Sequence, residues 1–139
     1  MTIEVFERTL ELAGLLGEEM ERRLAADGLT PSRAQLLREL GRRGPQQQRE
    51  LAGTLAVSAR NITGLVDGLA ATGFVTREPH PDDRRATLVT LTGRGTAAVR
   101  AMEEGRAAAA AALFAGMPPE RLAAYAADLD VLLGNLRKA

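Results

Sequence analysis

No cysteine occurs among the 139 residues, which removes disulfides, cysteine-held zinc and thiolate nucleophiles together. Tryptophan is absent too. Phe6, Phe74, Phe114 and Tyr125 are the whole aromatic set, each expected in core packing rather than in a ligand box. The single histidine, His80, lies between two prolines, with no convergent partners for a triad or a metal cluster; no role is its first reading and a phosphate contact its second. Gly93-Arg94-Gly95 lacks the third glycine and the βαβ setting of a dinucleotide fingerprint. No enzyme, metal or cofactor is therefore expected. No apolar run approaches the ~20 residues that span a bilayer, and no signal peptide opens the chain. A cytoplasmic protein without a membrane partner is expected. Excess charge is also missing: net charge is zero and the pI about 6.6, so composition does not announce a nucleic-acid partner.

The charge is nevertheless segregated. Residues 31–100 hold 11 arginines against 6 acids, whereas residues 1–30 hold 3 against 7 and residues 101–139 hold 4 bases against 5 acids. A basic middle can steer toward phosphates while acidic ends stay away. Lys138 is the only lysine, an arginine bias that a GC-rich genome explains as well as base reading does.

The basic middle contains the most informative stretch, residues 57–95. Ser58 is a good N-cap residue, and Val57 and Ile62 are spaced as a hydrophobic staple. Ile62, Leu65, Val66 and Leu69 then form one apolar helical face. The opposite face carries Arg60, Asn61, Thr63, Gly64 and Asp67, groups suited to base edges or phosphates, with Gly64 allowing close backbone approach. Gly73 is placed to end the helix. Residues 74–77 and 87–91 alternate in the manner of half-exposed strands. Pro79 and Pro81 should stop the pairing and leave an exposed loop from about Glu78 to Ala86, tipped by Asp82, Asp83, Arg84 and Arg85. An arginine on a stiff hairpin suits a narrow minor groove. Taken alone, the Asp-Asp-Arg-Arg run reads equally as a solvated turn with local ion pairs.

The run from Ser58 to Leu69, then Gly73-Phe74-Val75-x-Arg77, Pro81-Asp82-Asp83-Arg84-Arg85 and Leu91-Thr92-x-x-Gly95, resembles the winged helix-turn-helix of the MarR family of bacterial transcriptional regulators. Several motifs in order make the likeness more specific than any one alone. The resemblance implies a homodimer on a pseudo-palindromic operator in double-stranded DNA, with the helix from Ser58 in the major groove and the hairpin in the flanking minor groove. On the family pattern Arg85 enters the minor groove, Asp83 orients it, and Arg84 meets a phosphate. It also implies release by a small-molecule effector, an aromatic acid being a frequent class in the family, bound where the winged region meets the dimerisation helices; the sequence does not identify the residues lining such a site. Sensing by a reactive cysteine, known in the family, is excluded here.

The fold class that follows is mainly α with a small β-hairpin wing: a winged helix-turn-helix over residues 30–95, flanked by dimerisation helices at 1–28 and 96–139. Ile3, Phe6, Leu10, Ala13, Gly17, Met20 and Leu24 form a seam along the first helix, and Leu122, Tyr125, Leu129, Leu132 and Leu136 form another along the last, after Pro118-Pro119. Leu12, Leu15, Leu16 and Leu133 lie off these seams. The surplus apolar surface suggests a partner subunit, although the two helices packing on each other within one chain is the alternative. Thr30 and Pro31 open a helix with Ala34, Leu37 and Leu40 inward, broken by Gly41 and Gly44-Pro45. A further helix from about Gln46 to Leu55 joins the helix at Ser58 through Ala56-Val57, making the helix-turn-helix pair. Gln46, Gln47 and Gln48 at its start can hold a phosphate, or simply be solvated. Thr92 caps the helix after the hairpin, and Arg94 near its start can touch DNA backbone or be solvated.

The functional expectation is a sequence-specific DNA-binding regulator, a repressor acting by operator occupancy. Ser58, Arg60, Asn61, Thr63, Gly64, Asp83, Arg84 and Arg85 are its candidate DNA-binding residues, with Arg60 and Asn61 reading bases and Ser58 positioning the backbone. The alternative is a winged-helix protein-interaction module with no DNA role.

Overall fold

Thr30 accepts a hydrogen bond from the Arg33 N–H through its hydroxyl, and Pro31 follows at the first helical position, so a helix begins where the chain supplies both a cap and a preset φ. The same logic repeats downstream. The computed structural model describes residues 1–139, in the order α1 (Thr2–Ala26), α2 (Pro31–Arg43), α3 (Gln48–Leu55), α4 (Ala59–Ala71), β1 (Val75–Pro79), β2 (Thr87–Leu91), α5 (Gly93–Leu113) and α6 (Pro119–Lys138). This is a mainly helical winged helix-turn-helix with a two-stranded antiparallel hairpin as its wing. Two compact units are present, Met1–Ala101 and Met102–Ala139, their boundary inside α5.

The first unit holds the core. Leu36, Leu37, Leu40, Leu51, Ile62, Val66, Leu69, Val75 and Val89 are fully buried, from α2, α3, α4 and both strands. Each such side chain contributes about 1.5–3 kcal/mol by leaving water. The apolar face expected on α4 is thus the buried one, with Leu65 half-buried at its margin. Gly41 lies inside α2 rather than ending it. A β-carbon there would press on the Val99 side chain of α5, so glycine permits close helix packing and the helix continues to Arg43.

The helix-to-wing transition follows from one glycine. After α4, Gly73 takes φ +83, Phe74 N–H reaches Leu69 C=O at 2.8 Å and Gly73 N–H reaches Ala70 C=O at 3.1 Å, the two bonds of a Schellman stop. The hairpin pairs Val75 with Leu91 through Pro79 with Thr87. Pairing therefore runs one step past Glu78, against the sequence expectation that the loop begins there. The reason is parity. Val89 directs both its N–H and its C=O to Gln46, away from β1, so Arg77 and Val89 face each other as a non-hydrogen-bonded pair. Pro79, two residues on, has the same parity and needs no donor.

That Gln46–Val89 bridge also corrects the start of α3. Gln46 is buried, exchanges main-chain bonds with Val89 at 3.2 and 2.7 Å, and directs its amide toward the Gly44 and Glu39 carbonyls. It is a rudimentary third strand rather than a phosphate-holding helix terminus. The helix begins two residues later at Gln48, capped at Gln47, whose N–H donates to the Glu50 carboxylate at 3.2 Å.

The remaining helical surface is unlike this core. α1 buries no residue, and Ile3, Phe6, Leu10 and Met20 of its seam lie exposed. In the second unit, Phe114 meets Tyr125 edge-on with ring centroids 6.1 Å apart, and Met117, Arg121, Ala124, Tyr125 and Asp128 line a shallow groove of about 330 Å³. Leu122, Val131, Leu132, Leu133 and Leu136 of α6 are exposed. No helix is long and apolar enough to cross a membrane.

Candidate nucleic-acid interface

Helix α4 starts as its sequence demands: the Ser58 hydroxyl accepts the Asn61 N–H at 3.0 Å. Acceptance of that bond leaves the hydroxyl proton free, so Ser58 can cap the helix and still donate to a phosphate oxygen. Arg60 and Asn61 follow in the first turn, exposed, with side chains that make no hydrogen bond or ion pair within the chain. Gly64 presents an open surface, with nothing within 4 Å of where a β-carbon would stand.

The other two polar groups on this face are engaged. Thr63 donates its hydroxyl proton to the Ala59 carbonyl at 2.9 Å and accepts from the Gln48 amide at 3.1 Å. Asp67 is paired with Arg77 of β1 at 2.6 Å. Thr63 therefore has no spare proton in this arrangement, which removes the simplest way for it to donate to a base edge. Free polar groups concentrate in the first turn of α4.

The wing tip is built by its own polar residues. His80 N–H donates to the Ala86 carbonyl, Asp82 N–H donates to His80 Nδ1, and Ala86 N–H donates to the Asp83 carbonyl, each at 3.0 Å. His80 thus folds the loop, a role that sequence reading did not assign. Asp83 Oδ1 accepts the main-chain N–H of Arg85 at 3.0 Å and makes no ion pair with the guanidinium. Asp83 thus closes an Asx-type turn on the Arg85 backbone and does not grip its head group. Arg84 and Arg85 remain exposed, with unpartnered side chains.

Arg94 is engaged within the chain rather than simply solvated. Its guanidinium donates to the Thr72 carbonyl at 2.8 Å and lies 4.4 Å from the centroid of Phe74, closing the end of α4. Thr92 caps α5, its hydroxyl accepting from Gly95 N–H at 3.1 Å and reaching the Gly73 carbonyl at 2.6 Å.

The eight candidate residues thus form two exposed groups on the first unit: Ser58, Arg60, Asn61, Thr63 and Gly64 on α4, and Asp83, Arg84 and Arg85 on the hairpin. They make no direct contact across the two groups; the link between helix and hairpin runs instead through Asp67, Arg77 and Gln48. Four unpaired cation or amide side chains projecting from a helix start and a hairpin tip make a surface able to contact phosphates and base edges.

Comparison with known proteins agrees with this architecture. The sequence pattern of the MarR family matches residues 29–87. YkoM, a helix-turn-helix transcriptional regulator of Bacillus subtilis, is 30% identical over 81% of this chain and 68% of its own length. The repressor YetL of the same organism is 33% identical over 69% of this chain and 59% of its own. Streptococcus pneumoniae FabT, solved in complex with DNA, superposes with a TM-score of 0.85 at 18% identity over 99% of both chains.

Proposed function

Because the chain belongs to the MarR family of transcriptional regulators, we propose that it binds a pseudo-palindromic operator in double-stranded DNA as a homodimer and represses by occupying it. The observation that carries this reading is the pair of unpartnered surfaces on one compact unit, Arg60 and Asn61 at the start of α4 and Arg84 and Arg85 at the wing tip. α4 suits the major groove, where Arg to guanine or Asn to adenine supplies about 1–3 kcal/mol of discrimination per contact. The wing suits the adjacent minor groove, with Arg85 inserted and Arg84 on phosphate. Ser58 sits where a helix N-terminus meets a phosphate, and Gly64 lets the backbone approach.

A second copy is proposed because a single recognition helix reads too few bases for specificity, and because α1 exposes an apolar seam that monomers rarely leave uncovered. Repression is supported by YetL, described as a repressor, and DNA engagement by the FabT complex. Release by a small molecule, an aromatic acid being the class the family suggests, belongs to the same proposal. Such a ligand lowers DNA affinity only by favouring a conformation that does not bind. The setting is cytoplasmic, and no cofactor, metal or catalytic step is part of the reading.

The test is fluorescence anisotropy with duplex tiles from the DNA adjoining the gene, at two salt concentrations and with unrelated DNA as competitor. Tight, salt-sensitive, competitor-resistant binding to one palindromic tile supports the reading. Equal weak binding to every tile favours the protein-interaction module. On that tile, Arg85→Ala should weaken binding about tenfold, the effect of one lost charged contact, without changing thermal unfolding; unchanged affinity would remove the wing from the mechanism. Arg60→Ala should instead flatten sequence preference.

A further inference from the structure

We propose that Gln48 is a positioning residue for DNA reading, setting the wing relative to α4, an inference that rests on the function proposed above. Its amide faces two ways. Oε1 accepts from Arg77 Nε at 3.0 Å, and Nε2 donates to the Thr63 hydroxyl at 3.1 Å. One side chain at the first residue of α3 therefore joins β1 to α4, and the Arg77–Asp67 ion pair at 2.6 Å closes the ring between the same two elements.

The geometry favours positioning over general support of the fold. The start of α3 is already secured by Glu50, which accepts the Gln47 N–H, so the helix does not need the Gln48 side chain. The core beneath is complete in Leu51, Ile62, Val66 and Val89. Val75 and Val89 seat the base of the hairpin in that core, whereas β1 is exposed from Thr76 to Pro79. The two strands pair with each other, and each is also tied to the opening of α3: β2 by main-chain bonds between Val89 and Gln46, and β1 by the side-chain bond between Arg77 and Gln48, beside the Asp67–Arg77 ion pair. Both anchors lie in the short stretch that opens α3. Gln48 then extends the second anchor to Thr63, one turn beyond the base-reading candidates Arg60 and Asn61. The distance between a minor-groove arginine and the major-groove helix is set by this chain of bonds, and a pre-set distance spares the entropy of arranging the wing on binding.

A duplex selected from random-sequence DNA by the wild-type protein supplies the probe, with two derivatives: one altered only in the selected core, one only in the flanks. Anisotropy then measures core and flank discrimination separately, alongside thermal unfolding. Gln48→Met keeps side-chain length and loses both bonds. It should leave core discrimination within about twofold and reduce flank discrimination about tenfold, one charge-assisted bond's worth, with the unfolding midpoint shifted by no more than a few degrees. Gln48→Glu keeps an acceptor for Arg77 but cannot donate to Thr63, whose own proton is held by Ala59, so it should lose flank discrimination by only about threefold; it carries the test if the Met variant is unstable, unchanged flank discrimination then overturning the assignment. Unchanged flank discrimination in Gln48→Met, or equal losses in core and flank, overturns the assignment while leaving the proposed function standing. A wild-type protein that selects no sequence overturns both.

Discussion

The winged part of the first unit and the long terminal helices follow opposite rules. From Leu29 to Val99 the chain buries thirteen apolar side chains and turns its unpaired arginines outward. α1 and α6 bury none, yet carry a dense set of exposed leucines, together with Phe6 and Met20. The first region satisfies the hydrophobic effect within itself, whereas the second leaves its apolar surface uncovered, as the proposed dimer requires. A regulator needs both: a rigid reader, and a face through which two readers are held at a fixed separation.

The largest effect should come from breaking the second region without touching the first. Leu10 is 59% exposed on α1, so an aspartate there costs an isolated chain almost nothing. In a dimer it places a charge in an apolar seam. Leu10→Asp should sediment as a single 14.8 kDa chain and lose about 10²–10⁴-fold in operator affinity, the advantage of two linked sites over one. A variant that stays dimeric, or a wild-type protein that is already monomeric, ends the argument for that seam.

A smaller effect sharpens the contrast from the other side. Gly95 is buried against the Phe74 backbone and the Leu91 side chain, and a β-carbon on it would overlap the Phe74 carbonyl oxygen. Backbone cannot yield as a flexible side chain does, so Gly95→Ala should cost about 1–3 kcal/mol. Denaturant midpoints measure this directly, and an unchanged midpoint sinks the claim.

Much of this was legible in the sequence where the cause is local. Ser58 and Gly73 bracket α4 through a cap and a left-handed stop, and Thr30-Pro31 and Thr92 open their helices by the same short-range bonds. Apolar spacing identified the inward face of α4 for the same reason. What was missed depends on residues distant in sequence. Gln46 reads as part of a polar helix start, and only the fold brings Val89 to its main chain. Pro79 reads as the end of pairing, because its parity is set by that same bridge. Arg94 and Thr63 read as free polar groups until Thr72, Phe74 and Gln48 arrive beside them. In the candidate interface, residue types reveal which groups can contact DNA, but tertiary hydrogen bonds decide which are already spent.

The smallest predicted effect lies in the turn between α3 and α4. Ala56 adopts φ 54 and ψ 45, the only non-glycine residue with positive φ. Its β-carbon crowds the following carbonyl there, at a cost of about 1–2 kcal/mol that glycine does not incur. Glycine also gains freedom in the unfolded chain, which offsets about 0.4–1 kcal/mol of that relief. Ala56→Gly should therefore stabilise the protein by only about 0.5 kcal/mol. The converse exchange supplies the control. Gly73 sits at φ +83 with open space around its missing β-carbon, so Gly73→Ala isolates backbone strain from packing and should destabilise. Opposite shifts in the unfolding midpoint would show that backbone conformation governs both turns, whereas shifts of the same sign would mean that contacts elsewhere decide how the chain enters and leaves the helix carrying Arg60 and Asn61.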